Sequence, residues 1–351
     1  MTLLLRAMQR VAGPSHDQVL IPSYTCYSVA ASVVKAGLRP RLVDINPDTL
    51  DFDYDELATI DFTRILAIVA TNLYGIPNDM PRLAALARRR GVFLIDDAAQ
   101  AMGAQVGGRP CGTWGDAGIF SFDKGKNVSA IDGGIVITDS GEIAAAIDAE
   151  MATQPTPSAV SSTVHVAKAI AYFMLLRPSL YGVPARIPQL GLGKTEFTTE
   201  FPLHHADPRL VALGVVMLRH LDEFTAARVS RASALLHGLQ GAREITTIAP
   251  PPGASPAYLR FPILFVDAES RRSAIEALTA AGIGATASYP EALADVPELR
   301  PHLANPSDRV AGGRSVARRI ATLPTHPFVT TVDVARMITL LRKGTTTACA
   351  A

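Results

Sequence analysis

Two residues of this sequence, Lys126 and Asp97, combine a type and a setting that suit chemistry. The lysine stands in Ser121-Phe122-Asp123-Lys124-Gly125-Lys126-Asn127, and the turn Asp132-Gly133-Gly134 follows closely. The aspartate ends the apolar run Phe93-Leu94-Ile95-Asp96-Asp97, before Ala98-Ala99-Gln100. An amine and a carboxylate at neighbouring strand ends are the two groups that pyridoxal 5′-phosphate (PLP) needs. The amine forms a Schiff base with the aldehyde, and the carboxylate keeps the pyridine nitrogen protonated. Plainer readings stay open: a surface lysine in a turn, or Asp97 as the N-cap of a helix starting at Ala98. Lys124 and Asp96 are the adjacent rivals.

Such groups meet only if the strands that carry them lie side by side. In the first half, short apolar runs alternate with helical patterns. Strands are predicted at 19–22, 41–45, 65–70, 92–95, 119–122 and 135–138, with helices at 28–35 and 80–90. This alternation predicts an α/β fold: a mainly parallel central sheet with helices on both faces. Ligands of such sheets bind at the carboxyl ends of the strands, where Asp97 and Lys126 both fall.

The second half reads differently. Residues 151–162 and 191–208 look like loops. The apolar stretch 166–176, interrupted only by Lys168, is too short to span a bilayer. It is read as a buried or interface helix, with a membrane-surface contact as the alternative. One long helix is expected from Arg209 toward Leu236. After the turn cluster Ala249-Pro250-Pro251-Pro252-Gly253, a strand at 258–266, a helix at 268–281 and the segments 314–327 and 332–341 make a smaller α+β unit. The expected boundary, near 225–245, divides a large domain (1–235) from a small one (236–351).

The 351 residues are 48% hydrophobic and 19% charged, enough apolar material for a large core. A net charge of +1 gives no footprint for nucleic acid or an anionic membrane. Cys26, Cys111 and Cys349 form no metal or disulfide pattern, and the first ten residues carry no signal-peptide pattern. The expected location is the cytoplasm.

The residues resemble the DegT/DnrJ/StrS family of PLP-dependent sugar aminotransferases, which have the aspartate-aminotransferase (type I) fold. The resemblance rests on Ile21-Pro22-Ser23-Tyr24-Thr25, Val43-Asp44-Ile45, Leu73-Tyr74-Gly75, Asp96-Asp97-Ala98-Ala99-Gln100, Ser121-Phe122 with Lys126, and Asp132-Gly133-Gly134. Arg209-Leu210, Leu221-Asp222, Gly282-Ile283, Tyr289-Pro290 and Leu323-Pro324-Thr325-His326-Pro327 extend it over nearly the whole chain, in family order. It implies that Lys126 forms the internal aldimine and then shuttles a proton, and that Asp97 pairs with the pyridinium nitrogen. Gln100 would lie over the cofactor ring or touch its phenolic oxygen, and Ser121 would bind the phosphate. It further implies a homodimer and transfer of an amino group from an amino acid, glutamate being expected, to a keto-sugar nucleotide. The product would serve surface polysaccharide or secondary-metabolite sugars. Tyr289, His326 and the 177–205 loops are candidates to line the acceptor site.

Three departures from the family pattern stand out. The family has a Gly-Thr-x-Ala-Leu phosphate loop before its first long helix, whereas this sequence begins inside that helix at Met1-Thr2-Leu3-Leu4-Leu5. That motivates an alternative, a PLP-binding or degenerate non-catalytic paralogue lacking that loop. The position after Thr25, often an aromatic that stacks on the cofactor, is Cys26, between Tyr24 and Tyr27. An asparagine that reaches the other subunit's phosphate is replaced by Asp207. Lys126 itself argues against the family's dehydratases, where histidine takes its place.

Overall fold

The computed structural model describes residues 1–175, 196–305 and 310–347. Its central sheet uses β1 (Gln18–Pro22), β2 (Arg39–Val43), β3 (Ile65–Thr71), β4 (Phe93–Asp97), β7 (Ala117–Ser121) and β8 (Gly134–Ile137). The order is β2-β1-β3-β4-β7-β8, parallel throughout except for β8, which runs antiparallel to β7. Between β4 and β7, two-residue strands β5 (Gln105–Val106) and β6 (Arg109–Pro110) pair as a small hairpin.

Every residue of β3 is buried, because helices cover both faces. The strand period of two sorts its side chains. Ala67 and Val69 join a core with α1 (Thr2–Ala12), α2 (Tyr27–Lys35) and α5 (Gly141–Met151). Ile68 and Ala70 face the opposite core, with α3 (Tyr54–Thr59) and α4 (Met80–Arg90). Helix α4 matches its predicted span because its punctuation is strong. Asp79 accepts the Arg82 N–H as N-cap, Pro81 sits in the first turn, and Gly91 ends the helix in the left-handed region.

Residues far along the chain complete this unit. Asn305 pairs with both backbone groups of Leu42 on edge strand β2, at 2.8 and 2.7 Å. The Asp44 carboxylate accepts the N–H groups of Gly312 and Gly313 at 2.7 and 2.8 Å, in the first turn of α10 (Ala311–Arg319). A Cβ on Gly312 would meet the Ile45 carbonyl oxygen at 1.9 Å, so only glycine permits this approach.

Helix α6 (Ala159–Leu175) starts within the stretch expected to be a loop. It buries Ala169 but leaves Val160, Val164, Ile170 and Met174 exposed. The single helix expected from Arg209 is two, α7 (Pro208–Leu218) and α8 (Leu221–Gly238). The break lets each meet a different core: Leu210 packs with Phe122 and Ala130, while Ala232 and Leu235 join Phe261, Ile263 and Leu323. That last core lies on a second sheet, order β12-β11-β9, of β9 (Ile245–Thr247), β11 (Arg260–Phe265) and β12 (Ile320–Pro324). Helices α9 (Ala268–Ala280) and α11 (Thr331–Thr347) cover it, and β10 (Ala254–Ser255) reaches back to β5. The expected boundary falls within and just after α8. Ala292, Leu293, Ala294, Val296, Leu299, Leu303 and Val310, by contrast, join the core under α1 and α2. No helix among the described residues is long and apolar enough to cross a membrane.

Candidate active site

The carboxyl ends of β1, β3, β4 and β7 point to one edge of the sheet, and the segments leaving them enclose a cleft. It holds about 310 Å³ and is lined by Thr25, Cys26, Ser28 and Val29 after β1, Thr71, Asn72 and Leu73 at β3, Asp97, Ala99 and Gln100 at β4, and Lys126 after β7. Cys26, Asp97, Gln100 and Lys126, all singled out in the sequence, therefore meet. Thr71 and Asn72 were missed; their signal was their place at the end of β3, just before Leu73-Tyr74-Gly75.

Strand alternation separates the two adjacent carboxylates. Asp96 points away from the cleft and accepts from Gly112 N–H (2.6 Å), Trp114 N–H (3.1 Å) and Asn72 Nδ2 (2.8 Å). Burial pushes it up to about 6, against the pull of those N–H donors and with the neighbouring Asp97 charge adding. Asp97 is also buried but accepts one hydrogen bond, from the Ala99 N–H at 3.0 Å. No helix starts at Ala98, so this is not an N-cap. Its other oxygen has no hydrogen-bond partner among the described residues. Burial raises the Asp97 pKa, opposed by the Ala99 N–H and by the positive charges of Lys126 and the Met1 amino group.

The pH dependence of Asp96 follows from the sign of its shift. Its folded pKa lies above the unfolded value of about 3.9, so between roughly pH 4 and pH 6 the folded state holds the extra proton. Its contribution to stability therefore falls as pH rises through that window and is flat above it. Chemical denaturation of wild type and Asp96→Asn across pH 4–8 checks this: the stability difference, wild type minus variant, should decline to about pH 6 and then level.

Lys126 sits on the loop from β7 to β8, which is closed by Phe122 N–H to the Gly133 carbonyl (2.9 Å) and Ala130 N–H to the Phe122 carbonyl (2.8 Å). Asn127 anchors the same loop on the Met102 carbonyl. Lys126 is half-buried and lines the cleft, whereas Lys124 is exposed, its N–H turned back to Asp123.

The remaining candidates divide. Gln100 is held on two sides, its Oε1 accepting the Tyr74 N–H and its Nε2 donating to the Tyr289 hydroxyl, both at 2.9 Å. Ser121 closes β7; its Oγ accepts the Asp123 N–H at 3.3 Å, and it is not among the residues lining the cleft. Tyr24 and Tyr27 are buried and pack on the Tyr289 ring. Tyr289 itself stands behind Gln100 and Cys26 instead of lining the cleft. His326 lies away from it, where desolvation and the charges of Arg228, Arg260 and Arg231 push its imidazole down to about 4. Of the 177–205 stretch, residues 177–195 fall outside the described residues. Asp207 accepts the Arg209 N–H (3.0 Å) as N-cap of α7 and pairs with His165 Nδ1 (3.1 Å).

A lysine and an aspartate facing one cleft at the carboxyl edge of a mainly parallel sheet, beside a smaller antiparallel unit, define an aminotransferase-type α/β fold. The solved structure of DesV from S. venezuelae in complex with a ketimine intermediate shares it, with a TM-score of 0.76 and 26% identity, covering 98% of this chain and 82% of that one. The chain belongs to the DegT/DnrJ/EryC1/StrS aminotransferase family, whose model matches residues 1–158 and 209–342. It is 39% identical over 142 residues to a UDP-N-acetyl-3-dehydro-alpha-D-glucosamine 3-aminotransferase of Acidithiobacillus ferrooxidans, a match spanning 40% of this chain and 38% of that relative's length. It is 29% identical over 337 residues to the dTDP-3-amino-3,4,6-trideoxy-alpha-D-glucose transaminase of Streptomyces venezuelae, covering 94% of this chain and 77% of the relative.

Proposed function

We propose that this chain is a PLP-dependent aminotransferase that moves an amino group from an amino acid, glutamate as donor, to a keto-sugar nucleotide. The observation that carries this reading is the meeting of half-buried Lys126 and buried Asp97 in one cleft. The names of the nucleotide-sugar relatives support the acceptor class.

The residues present fit the cofactor. A buried carboxylate with one uncommitted oxygen is suited to a ring N–H, and an amine stands in the same cleft. When bound, PLP would supply an aldehyde carbon that takes up the amino nitrogen and a ring that accepts an electron pair. Asp97 would hold a proton on the ring nitrogen. Its burial strengthens that ion pair, since the alternative is a charge facing a low-dielectric wall. Lys126 would take a proton from the donor's α-carbon and return one during the half-reaction with the acceptor, for which it must be neutral. Gln100 and Cys26 would wall the site. A homodimer belongs to this reading: α6 and α7 leave Val160, Val164, Ile170, Met174, Val211, Val215 and Val216 exposed, an apolar surface suited to a second copy.

The test is the visible spectrum of the purified protein with added PLP, followed by borohydride reduction and peptide mapping. A new visible band and a stable adduct on the peptide carrying Lys126 are expected, and glutamate should bleach the band. An adduct elsewhere, or none, would overturn the reading.

A further inference from the structure

The residues around Tyr289 form a hydrogen-bonded chain whose direction can be read. A backbone N–H only donates, so the Tyr74 N–H fixes Oε1 of Gln100 as the acceptor and Nε2 as the group facing Tyr289. The Tyr289 oxygen must then accept from Gln100. Cys26 packs against the same core as Tyr289, and its sulfur accepts from the Ser28 hydroxyl at 3.0 Å. The phenol thus stands behind two cleft walls that come from different strands, Cys26 after β1 and Gln100 after β4.

The phenol is itself over-determined. Its backbone N–H donates to the Tyr24 hydroxyl at 3.3 Å, and its ring meets Tyr24 edge-on at 5.8 Å. The preceding residue, Ser288, accepts from the Tyr74 hydroxyl at 2.7 Å. Both Ser288 (φ 61°) and Tyr74 (φ 58°) lie in the left-handed region. Two such non-glycine residues bonded to each other persist only where surrounding contacts hold them. Next in the chain, Glu291 exchanges backbone bonds with the Tyr27 hydroxyl at 3.1 and 3.3 Å.

We propose that Tyr289 is a positioning residue for the cleft: its hydroxyl accepts from Nε2 of Gln100 and holds the side-chain amide that the Tyr74 N–H orients, so that Gln100 presents a fixed N–H to a bound cofactor. This rests on the function proposed above. It turns the segment 288–291, which touches no reacting atom, into a determinant of how the cofactor is held.

The experiment is a double-mutant cycle on PLP affinity, with Tyr289→Phe, Gln100→Ala and the pair, read by the visible band and by titration. Tyr289→Phe keeps the ring packing and removes one oxygen. It should weaken PLP binding roughly tenfold, because Nε2 of Gln100 loses its acceptor. It should also shift the pH at which the bound cofactor's band changes, with little effect on the melting temperature. In the Gln100→Ala background the same substitution should have no further effect. Additive losses, or an unchanged affinity in Tyr289→Phe, would overturn the role of Tyr289 and leave the aminotransferase reading standing. Failure of the wild type to bind PLP would overturn both.

Discussion

Lys126→Ala is expected to abolish turnover, lowering kcat by roughly 10⁴-fold or more, since in the proposed function it would remove both the covalent anchor and the proton carrier. The fold should survive. Lys126 is half-buried on a loop whose closure uses the backbone of Phe122, Ala130 and Gly133, not the lysine side chain. Far-ultraviolet circular dichroism and the melting temperature should therefore match the wild type while activity is lost. A small primary amine added to the assay should restore part of the rate, because a free amine can reach the emptied position and carry the proton. Lys124→Ala is the control. Lys124 is exposed and does not line the cleft, and its loss should leave the kinetics close to wild type. Wild-type activity in Lys126→Ala would remove the centre of the proposed mechanism.

Asp97→Asn should lower kcat by roughly 10²- to 10³-fold. The amide is nearly isosteric, and its oxygen can still accept the Ala99 N–H. It carries no charge, however, so a proton on the ring nitrogen is no longer favoured. The loss should fall mainly on kcat, since the charge matters most when the ring takes up electrons. PLP should still bind, with an altered spectrum. Asp96→Asn provides the contrast. That residue serves the backbone of Gly112 and Trp114 on the opposite side of β4, and its substitution should be felt in stability more than in the spectrum. Equal kinetic damage from both substitutions would mean that the division of labour between the two carboxylates is wrong.

That division could be anticipated from the sequence only by resemblance, because two consecutive aspartates at a strand end are chemically identical on paper. What separates them is the pleat, with Leu94 and Asp96 toward one core and Ile95 and Asp97 toward the other. Strand placement was legible, since a run such as Ile65–Thr71 has few alternatives. Helix α4 was legible from its Asp, Pro and Gly punctuation. The break between α7 and α8 was not, because Arg219-His220 carries no glycine or proline, and only tertiary packing divides the apolar stripe. The contact between Tyr289 and Gln100 was equally hidden. Tyr289 reaches Gln100 across 189 positions of sequence, and no local pattern encodes that contact.

The pairing of Asn305 with β2 has a consequence for synthesis on the ribosome. Strand β2 lies at the edge of the sheet, and the groups that occupy its Leu42 backbone arrive 263 residues later in the chain. Through most of translation the nascent polypeptide therefore carries an open strand edge, the kind of template that invites pairing with another chain. The Asp44 clamp on Gly312 and Gly313 is delivered in the same late interval. The edge of the sheet is thus closed only once Asn305, Gly312 and Gly313 have been made.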